Sequence, residues 1–74
     1  MQNSISNHFT IEIEQEEDGR WIAEILEIPG VLAYGSTQQQ AISNVQALAL
    51  RVIADKLEHG EMNLGLTSLT FIAA

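Results

Sequence analysis

Residues 27–41 read EIPGVLAYGSTQQQA and contain the only proline of the chain, two of its five glycines and a Ser-Thr pair. Proline cannot donate a backbone hydrogen bond, and it holds the preceding Ile28 in an extended conformation. Gly30 follows Pro29 directly and can take dihedral angles that other residues avoid. We therefore predict a sharp corner at Pro29 and Gly30, followed by a short third strand over the apolar residues 31–34.

The second half of this stretch predicts the start of a helix. Gly35 ends the third strand, and Thr37 with Gln40 three residues later has the form of a capping box. Ser36 with Gln39 offers the same arrangement one residue earlier. In either case the first helical residues follow directly after the Ser-Thr pair.

Beyond the caps, apolar residues recur at three- and four-residue spacing, the pattern of a helix with one buried stripe. The stripe consists of Ala41, Ile42, Val45, Leu48, Ala49, Val52, Ile53 and Leu57. We predict that the helix ends near His59, where a cation suits the helix dipole. Gly60 can then adopt the left-handed conformation of a C-terminal cap.

Two strands are predicted before this stretch and one after the helix. Residues 9–15 alternate between apolar and polar side chains, the period of a strand with one buried face. Asp18 and Gly19 supply a hairpin turn, and residues 20–28 return as a strand that is apolar on both faces, as central strands usually are. Residues 66–74 complete the order β-β-β-α-β. This order predicts an α+β fold in which one antiparallel sheet packs on a single long helix.

The composition of the 74 residues limits the class of protein. Its net charge of -7 opposes unaided binding to nucleic acid or to an anionic membrane. A chain this short without cysteine has no disulfides to stabilise it, so we expect a homo-oligomer. Residues 1–7 are polar and lack the apolar segment of a signal peptide, so we predict a disordered N-terminus, one domain over residues 8–74, and a soluble, cytoplasmic protein.

No group of residues predicts catalysis, a cofactor or a metal site. His8 and His59 lie far apart in the sequence and form no metal-binding motif. Ser36 and Thr37 have no base near them in the sequence, and capping already explains them. We therefore predict a protein that is not an enzyme.

Two sets of residues are candidates for protein contacts. The candidate partner-binding residues are Glu12, Glu14, Trp21 and Glu24, from the acidic hairpin that holds seven of the ten acids between positions 12 and 27. Solvation of the glutamates and a core position for the tryptophan are the alternative. The candidate oligomer contact is a second, narrower apolar facet of the helix, formed by Ala47, Leu50 and Ala54. A helix with small residues at its margins explains this facet equally well.

Residues 18–42, DGRWIAEILEIPGVLAYGSTQQQAI, resemble as a unit the N-terminal domain of the HicB family of bacterial antitoxins. The family pattern runs Asp-Gly, an aromatic residue, alternating apolar residues, Leu-Pro-Gly, a short strand, and Gly-x-Thr-x-x-Glu-Ala at a helix start. The matching residues here are Asp18, Gly19, Trp21, Ala23, Pro29, Gly30, Gly35, Thr37 and Ala41. Leu26, Gln39 and Gln40 depart from the pattern.

The resemblance implies a fold like a partial ribonuclease H, without that enzyme's metal-binding acids, and assembly into dimers or higher oligomers. It further implies an antitoxin that binds a small basic toxin of the HicA type, an RNA-cleaving enzyme, and covers its active surface. No DNA-binding domain follows the matched region before Ala74, so we expect no operator binding. The alternative hypothesis is a stand-alone oligomeric scaffold domain that has no toxin partner and is acidic only for solubility.

Overall fold

The computed structural model of the protein describes residues 8–60 and 68–74. The described chain forms strands β1 (His8–Gln15), β2 (Trp21–Ile25) and β3 (Leu32–Gly35), helix α1 (Gln38–Glu58) and strand β4 (Thr70–Ala73). The α+β class and the order β-β-β-α-β are thus confirmed. Three predictions lie outside the described residues: the disordered N-terminus, the loop after Gly60 and the first two residues of the last strand.

The four strands form one mixed sheet in the order β3-β2-β1-β4. Strand β2 pairs antiparallel with both β1 and β3, whereas β4 pairs parallel with β1 and places Phe71 opposite Phe9. The prediction of an antiparallel sheet is therefore wrong at this edge. Strand β4 runs parallel to β1 because the helical crossover returns the chain to the end of the sheet where β1 and β3 begin.

Strand β2 lies inside the sheet, as the apolar residues on both of its faces predict. One face of the sheet packs against α1 and forms the core. The sheet side of this core consists of Phe9, Ile11, Ala23, Ile25 and the neighbouring Val31, and the helix side of Ala41, Val45, Ala49 and Ile53. The other residues of the predicted stripe pack at its margin, partly buried: Ile42, Leu48, Val52 and Leu57.

Strand β2 ends at Ile25, earlier than the predicted end at Ile28. Ile28 N donates to Ile25 O at 3.4 Å, and Val31 N donates to Ile28 O at 3.2 Å, so two tight turns follow one another. Gly30 has a φ of 86°, the left-handed value that a type II turn requires after its proline. The corner at Pro29 and Gly30 is confirmed, but the chain leaves the strand before it.

Two other predicted turns are also present. Between β1 and β2, Gly19 N donates to Glu16 O at 3.0 Å, and Gly19 has a φ of 94°. At the end of α1, His59 is the C-cap residue and Gly60 N donates to Leu57 O at 3.2 Å. Gly60 has a φ of 67°, so the left-handed helix end is confirmed.

The start of α1 has the predicted cap. Thr37 is the N-cap residue, and its Oγ1 accepts a hydrogen bond from Gln40 N at 3.0 Å. The side chain of Gln40 reaches one residue further back than in the usual capping box. Its Oε1 accepts from the backbone N and from the hydroxyl of Ser36, at 2.8 and 2.7 Å. Both residues of the Ser-Thr pair therefore hold the helix start.

We expect the double substitution Ser36→Ala and Thr37→Ala to lower the free energy of unfolding by about 1 kcal/mol or more, because it removes the N-cap hydroxyl. The measurement is the midpoint of urea denaturation. Ser43→Ala is the matched control, since it removes an exposed hydroxyl from the same helix and should leave the midpoint unchanged or slightly higher. A double variant as stable as this control would contradict the assigned cap.

Gly35 allows β3 and the start of α1 to touch. A Cβ atom on Gly35 would overlap Ala41 N, and it would lie 2.8 Å from the carbonyl carbon of Gln40. Close by, Asn44 Nδ2 donates to Tyr34 O at 2.8 Å and ties the helix to the same strand. Gly35 therefore does more than end the third strand, because its missing side chain sets the distance between helix and sheet.

Candidate functional site on the open face of the sheet

Within residues 8–60 and 68–74, no helix or strand covers the sheet face that points away from α1. We call it the open face. It carries the side chains that alternate with the core residues along each strand. These are His8, Thr10, Glu12 and Glu14 on β1, Ile22 and Glu24 on β2, Leu32 and Tyr34 on β3, Thr70 and Ile72 on β4, and Leu26 directly after β2.

The strand register divides the open face into an acidic band between two apolar patches. The acidic band lies on the two middle strands and consists of Glu12, Glu14 and Glu24. The β3-side patch consists of Ile22, Leu32 and Tyr34, and the β4-side patch of Leu26 and Ile72. Glu24 lies opposite Glu12 on one side and opposite Leu32 on the other. Leu26 N donates to Thr10 O at 3.1 Å, and Thr10 in turn lies opposite Ile72.

The apolar patches are well exposed. Leu32 and Tyr34 are 38% and 41% exposed, and Leu26 and Ile72 are 48% and 46% exposed, while Ile22 is half-buried. Single exposed apolar residues are ordinary, but neighbouring ones mark contact surfaces. None of these five residues is among the candidates that the sequence predicts. The second apolar face of the predicted β2 could have indicated Ile22 and Leu26, whereas Leu32, Tyr34 and Ile72 join them only through the pairing of the strands.

The structure brings together three of the four candidate partner-binding residues and separates the fourth. Glu12, Glu14 and Glu24 share the open face. Trp21 lies on the opposite face, where it is opposite Gly35 and packs half-buried against the core. Trp21 and the three glutamates therefore do not share one surface, because side chains at odd and even positions of β2 point to opposite faces.

Glu27 fastens the chain after β2 to strand β1. Its Oε1 accepts from Thr10 N at 2.7 Å, and its Oε2 accepts from the Thr10 hydroxyl at 2.8 Å. The backbone hydrogen bond, followed by the hydroxyl, holds the pKa of the Glu27 carboxyl below its usual value. The carboxylate therefore remains charged at the edge of the open face and positions the β4-side patch.

Arg20 lies at the other end of the open face, beside the β3-side patch. Its Nε is 2.8 Å from Asp18 Oδ2, and its Cζ lies 4.5 Å from the centre of the Tyr34 ring. The backbone N–H of Arg20, with its side chain, lowers the pKa of the Asp18 carboxyl. Because Asp18 matches its charge, Arg20 does not neutralise the acidic band.

The candidate oligomer contact lies on the far side of the molecule. Ala47, Leu50 and Ala54 are all exposed on the outer surface of α1, and Leu50 is 49% exposed. The buried stripe of the helix faces the sheet, so this facet points away from it. The facet and the open face are thus two separate surfaces.

The described part of the chain forms no group of three or more His, Cys, Asp or Glu side chains that could hold a metal ion. His8 and His59 are exposed, and His59 Nδ1 lies 2.8 Å from Asp55 O. Among the same residues, no helix has the length and apolar character needed to cross a bilayer.

Comparison with known proteins identifies no relative of the chain. No protein-family model matches the chain, and comparisons with curated proteins and with solved structures give no significant match. The resemblance to HicB antitoxins thus remains a resemblance of sequence pattern.

Proposed function

We propose that this chain is a binding module of the HicB antitoxin type, which is not an enzyme and neutralises a small basic ribonuclease of the HicA type by direct contact. The observation that carries the proposal is the open face, on which the acidic band lies between two exposed apolar patches. Carboxylates attract a basic partner, and apolar patches supply the water-excluding contact area that binding needs.

The two components of the open face have different roles in such a complex. A net charge of -7 raises the association rate with a basic protein through long-range attraction, which falls as salt is added. The apolar patches slow dissociation, because separation would expose them to water again.

Covering a basic surface is sufficient to inhibit a ribonuclease. Such an enzyme needs lysine and arginine side chains to bind the phosphates of its RNA substrate. Carboxylates paired with those cations would exclude the phosphates from the same positions. The acidic band therefore supports inhibition without any chemistry by this chain.

The test is co-expression of the chain with the short basic protein encoded by the adjacent gene. We expect the two proteins to co-purify at low salt and to separate as salt rises, and we expect RNA cleavage by the partner to fall when the chain is added. A neighbour that is not retained even at low salt, or that keeps its full ribonuclease activity in the complex, would contradict the proposal.

The second candidate function is a stand-alone oligomeric scaffold. The observation that favours it is the exposed facet of α1, where Leu50 projects between the small residues Ala47 and Ala54. Small neighbours allow a second helix to approach closely around a central leucine. The scaffold function needs this facet and does not need the open face.

If the facet joins subunits, Leu50→Glu should lower the molar mass that light scattering measures in solution, because it places a charge in an apolar contact. Leu32→Glu is the matched control, since it makes the same change at an exposed apolar residue on the other surface. A mass that falls only with Leu32→Glu, or with neither variant, would exclude the facet as the oligomer contact.

A further inference from the structure

We propose that the open face holds one basic amphipathic helix of the partner, laid along β1 and β2 with its cations over the acidic band. The inference rests on the proposed function and adds to it the kind of structural element that the partner presents. It depends on three features of the open face: its width, the spacing of its carboxylates, and the pairing of β2 on both sides.

The width of the open face suits a single helix. Neighbouring strands lie about 4.8 Å apart, so β3 and β4, at the two edges of the sheet, are separated by about 14 Å. A helix with its side chains is about 10–12 Å wide. A helix above the middle strands would therefore reach Leu32 and Tyr34 on β3 with one flank and Ile72 on β4 with the other.

The spacing of the carboxylates suits cations on one side of a helix. Glu12 and Glu14 are two residues apart on β1, a distance of about 6.7 Å along the strand. Cations at positions i and i+4 of a helix are about 6 Å apart along its axis. Two successive turns of a helix can thus place one cation near each carboxylate, and Glu24 lies beside Glu12 on the neighbouring strand.

A helix also fits the hydrogen bonding of the open face. Strand β2 pairs with β1 on one side and with β3 on the other, so its backbone groups already have partners within the sheet. An extended peptide laid on the face would leave its own backbone groups without partners, which is costly in a water-excluding contact. A helix satisfies its backbone internally, so only its side chains need to match the surface.

The charges of the open face exclude two other occupants. In a contact between two copies of the chain, the carboxylates of one acidic band would face those of the other, and like charges brought together in a contact are destabilising. Nucleic acid is repelled for the same reason. The apolar patches also favour an amphipathic helix over a segment that is only basic, because they need apolar side chains beside the cations.

The experiment titrates the isotope-labelled full chain with synthetic peptides and follows its backbone amide signals by nuclear magnetic resonance. The probe is a peptide of about 18 residues, or five helical turns, with lysines at i, i+4 spacing and leucines on both flanks. A second peptide has the same composition in scrambled order, so that its net charge is unchanged. We expect signal changes confined to the open face, and an affinity for the ordered peptide at least tenfold higher than for the scrambled one.

Variants of the chain locate the contact. Leu32→Ser and Ile72→Ser change one exposed residue in each apolar patch, and each should weaken binding of the ordered peptide several-fold. Leu50→Ser is the control, because it changes an equally exposed leucine on the far side of the molecule and should have no effect. The inference is overturned if neither peptide binds, if both bind equally, or if Leu50→Ser has the larger effect. It is also overturned if Leu32→Ser lowers the mass of the chain alone, because the face would then contact a second copy.

The results distinguish this inference from the proposed function. If the basic neighbour co-purifies and is inhibited while the ordered peptide fails to bind, the inference that the open face binds a helix is wrong and the proposed function stands. If the peptide binds as expected and no basic neighbour is retained, the open face still binds a basic helix, but the HicA-type partner is wrong.

Discussion

Gly35→Ala should lower the free energy of unfolding by about 3 kcal/mol, the upper end of the usual cost of overpacking. The new methyl group would overlap Ala41 N and lie 2.9 Å from Ala41 Cα. These atoms belong to the backbone of α1 and cannot move aside by a change of rotamer. Domains of this size are stable by only about 4–11 kcal/mol, so the loss is a large fraction of the total. Chemical denaturation followed by circular dichroism measures it.

Gly60→Ala is the matched control for Gly35→Ala. Gly60 has a positive φ of 67°, but among residues 8–60 and 68–74 nothing lies within 4 Å of an added Cβ. This substitution should therefore cost only about 1 kcal/mol of backbone strain. If Gly35→Ala costs no more than Gly60→Ala, the close approach of β3 and α1 does not constrain the fold.

Glu24→Lys should raise the stability of the free chain and weaken its complex with the basic partner at least tenfold. Glu24 lies directly opposite Glu12 on the neighbouring strand, and like charges in this position destabilise a sheet. A lysine there would turn repulsion into a cross-strand ion pair, worth about 0.2–1 kcal/mol. In the complex, the same lysine would face the partner's cations and repel them.

Two measurements test this prediction, the midpoint of thermal unfolding and the dissociation constant of the complex by calorimetry. Glu17→Lys is the control, because it makes the same change of charge at an exposed position of the hairpin turn, away from the open face. It should lower the association rate slightly and leave the dissociation rate unchanged. If the two variants weaken the complex equally, net charge alone governs binding and the acidic band has no special role.

Opposite effects on stability and on binding would identify the acidic band as a functional feature. Paired like charges on neighbouring strands disfavour the folded chain, and in natural proteins such local conflicts concentrate at functional sites. Solvated acids with no partner would show only the gain in stability.

The helix could be predicted almost completely from the sequence, whereas the strands could only be predicted in part. Thr37, Gln40 and Gly60 mark the limits of α1 with local hydrogen bonds, and local signals can be read from neighbouring residues. The end of β2 was missed because apolar residues continue to alternate up to Ile28, although the chain has already turned. The position of β4 beside β1 depends on a long-range pairing, which no local pattern encodes.

The candidate site, like the fold, could be predicted only in part from the sequence. The acids of the hairpin are evident from the sequence, and their alternation places Glu12, Glu14 and Glu24 on one face. The apolar half of the site depends on which strands are neighbours, since Leu32 and Ile72 are far apart in the sequence and share a face only through the sheet. Periodicity identifies apolar residues, but it does not show which of them lack a cover.

The pairing of β1 with β4 also affects how the protein folds. It joins His8 to Thr70, across about sixty positions of the chain, and closing a loop of that length costs entropy before any contact repays it. The strands β1, β2 and β3 and the start of α1 are connected by short turns and can associate early. We therefore expect the edge at β4 to be the last part of the sheet to form. Until it does, the backbone of β1 is unpaired on one side, and a chain arrested at this stage is exposed to pairing with another molecule.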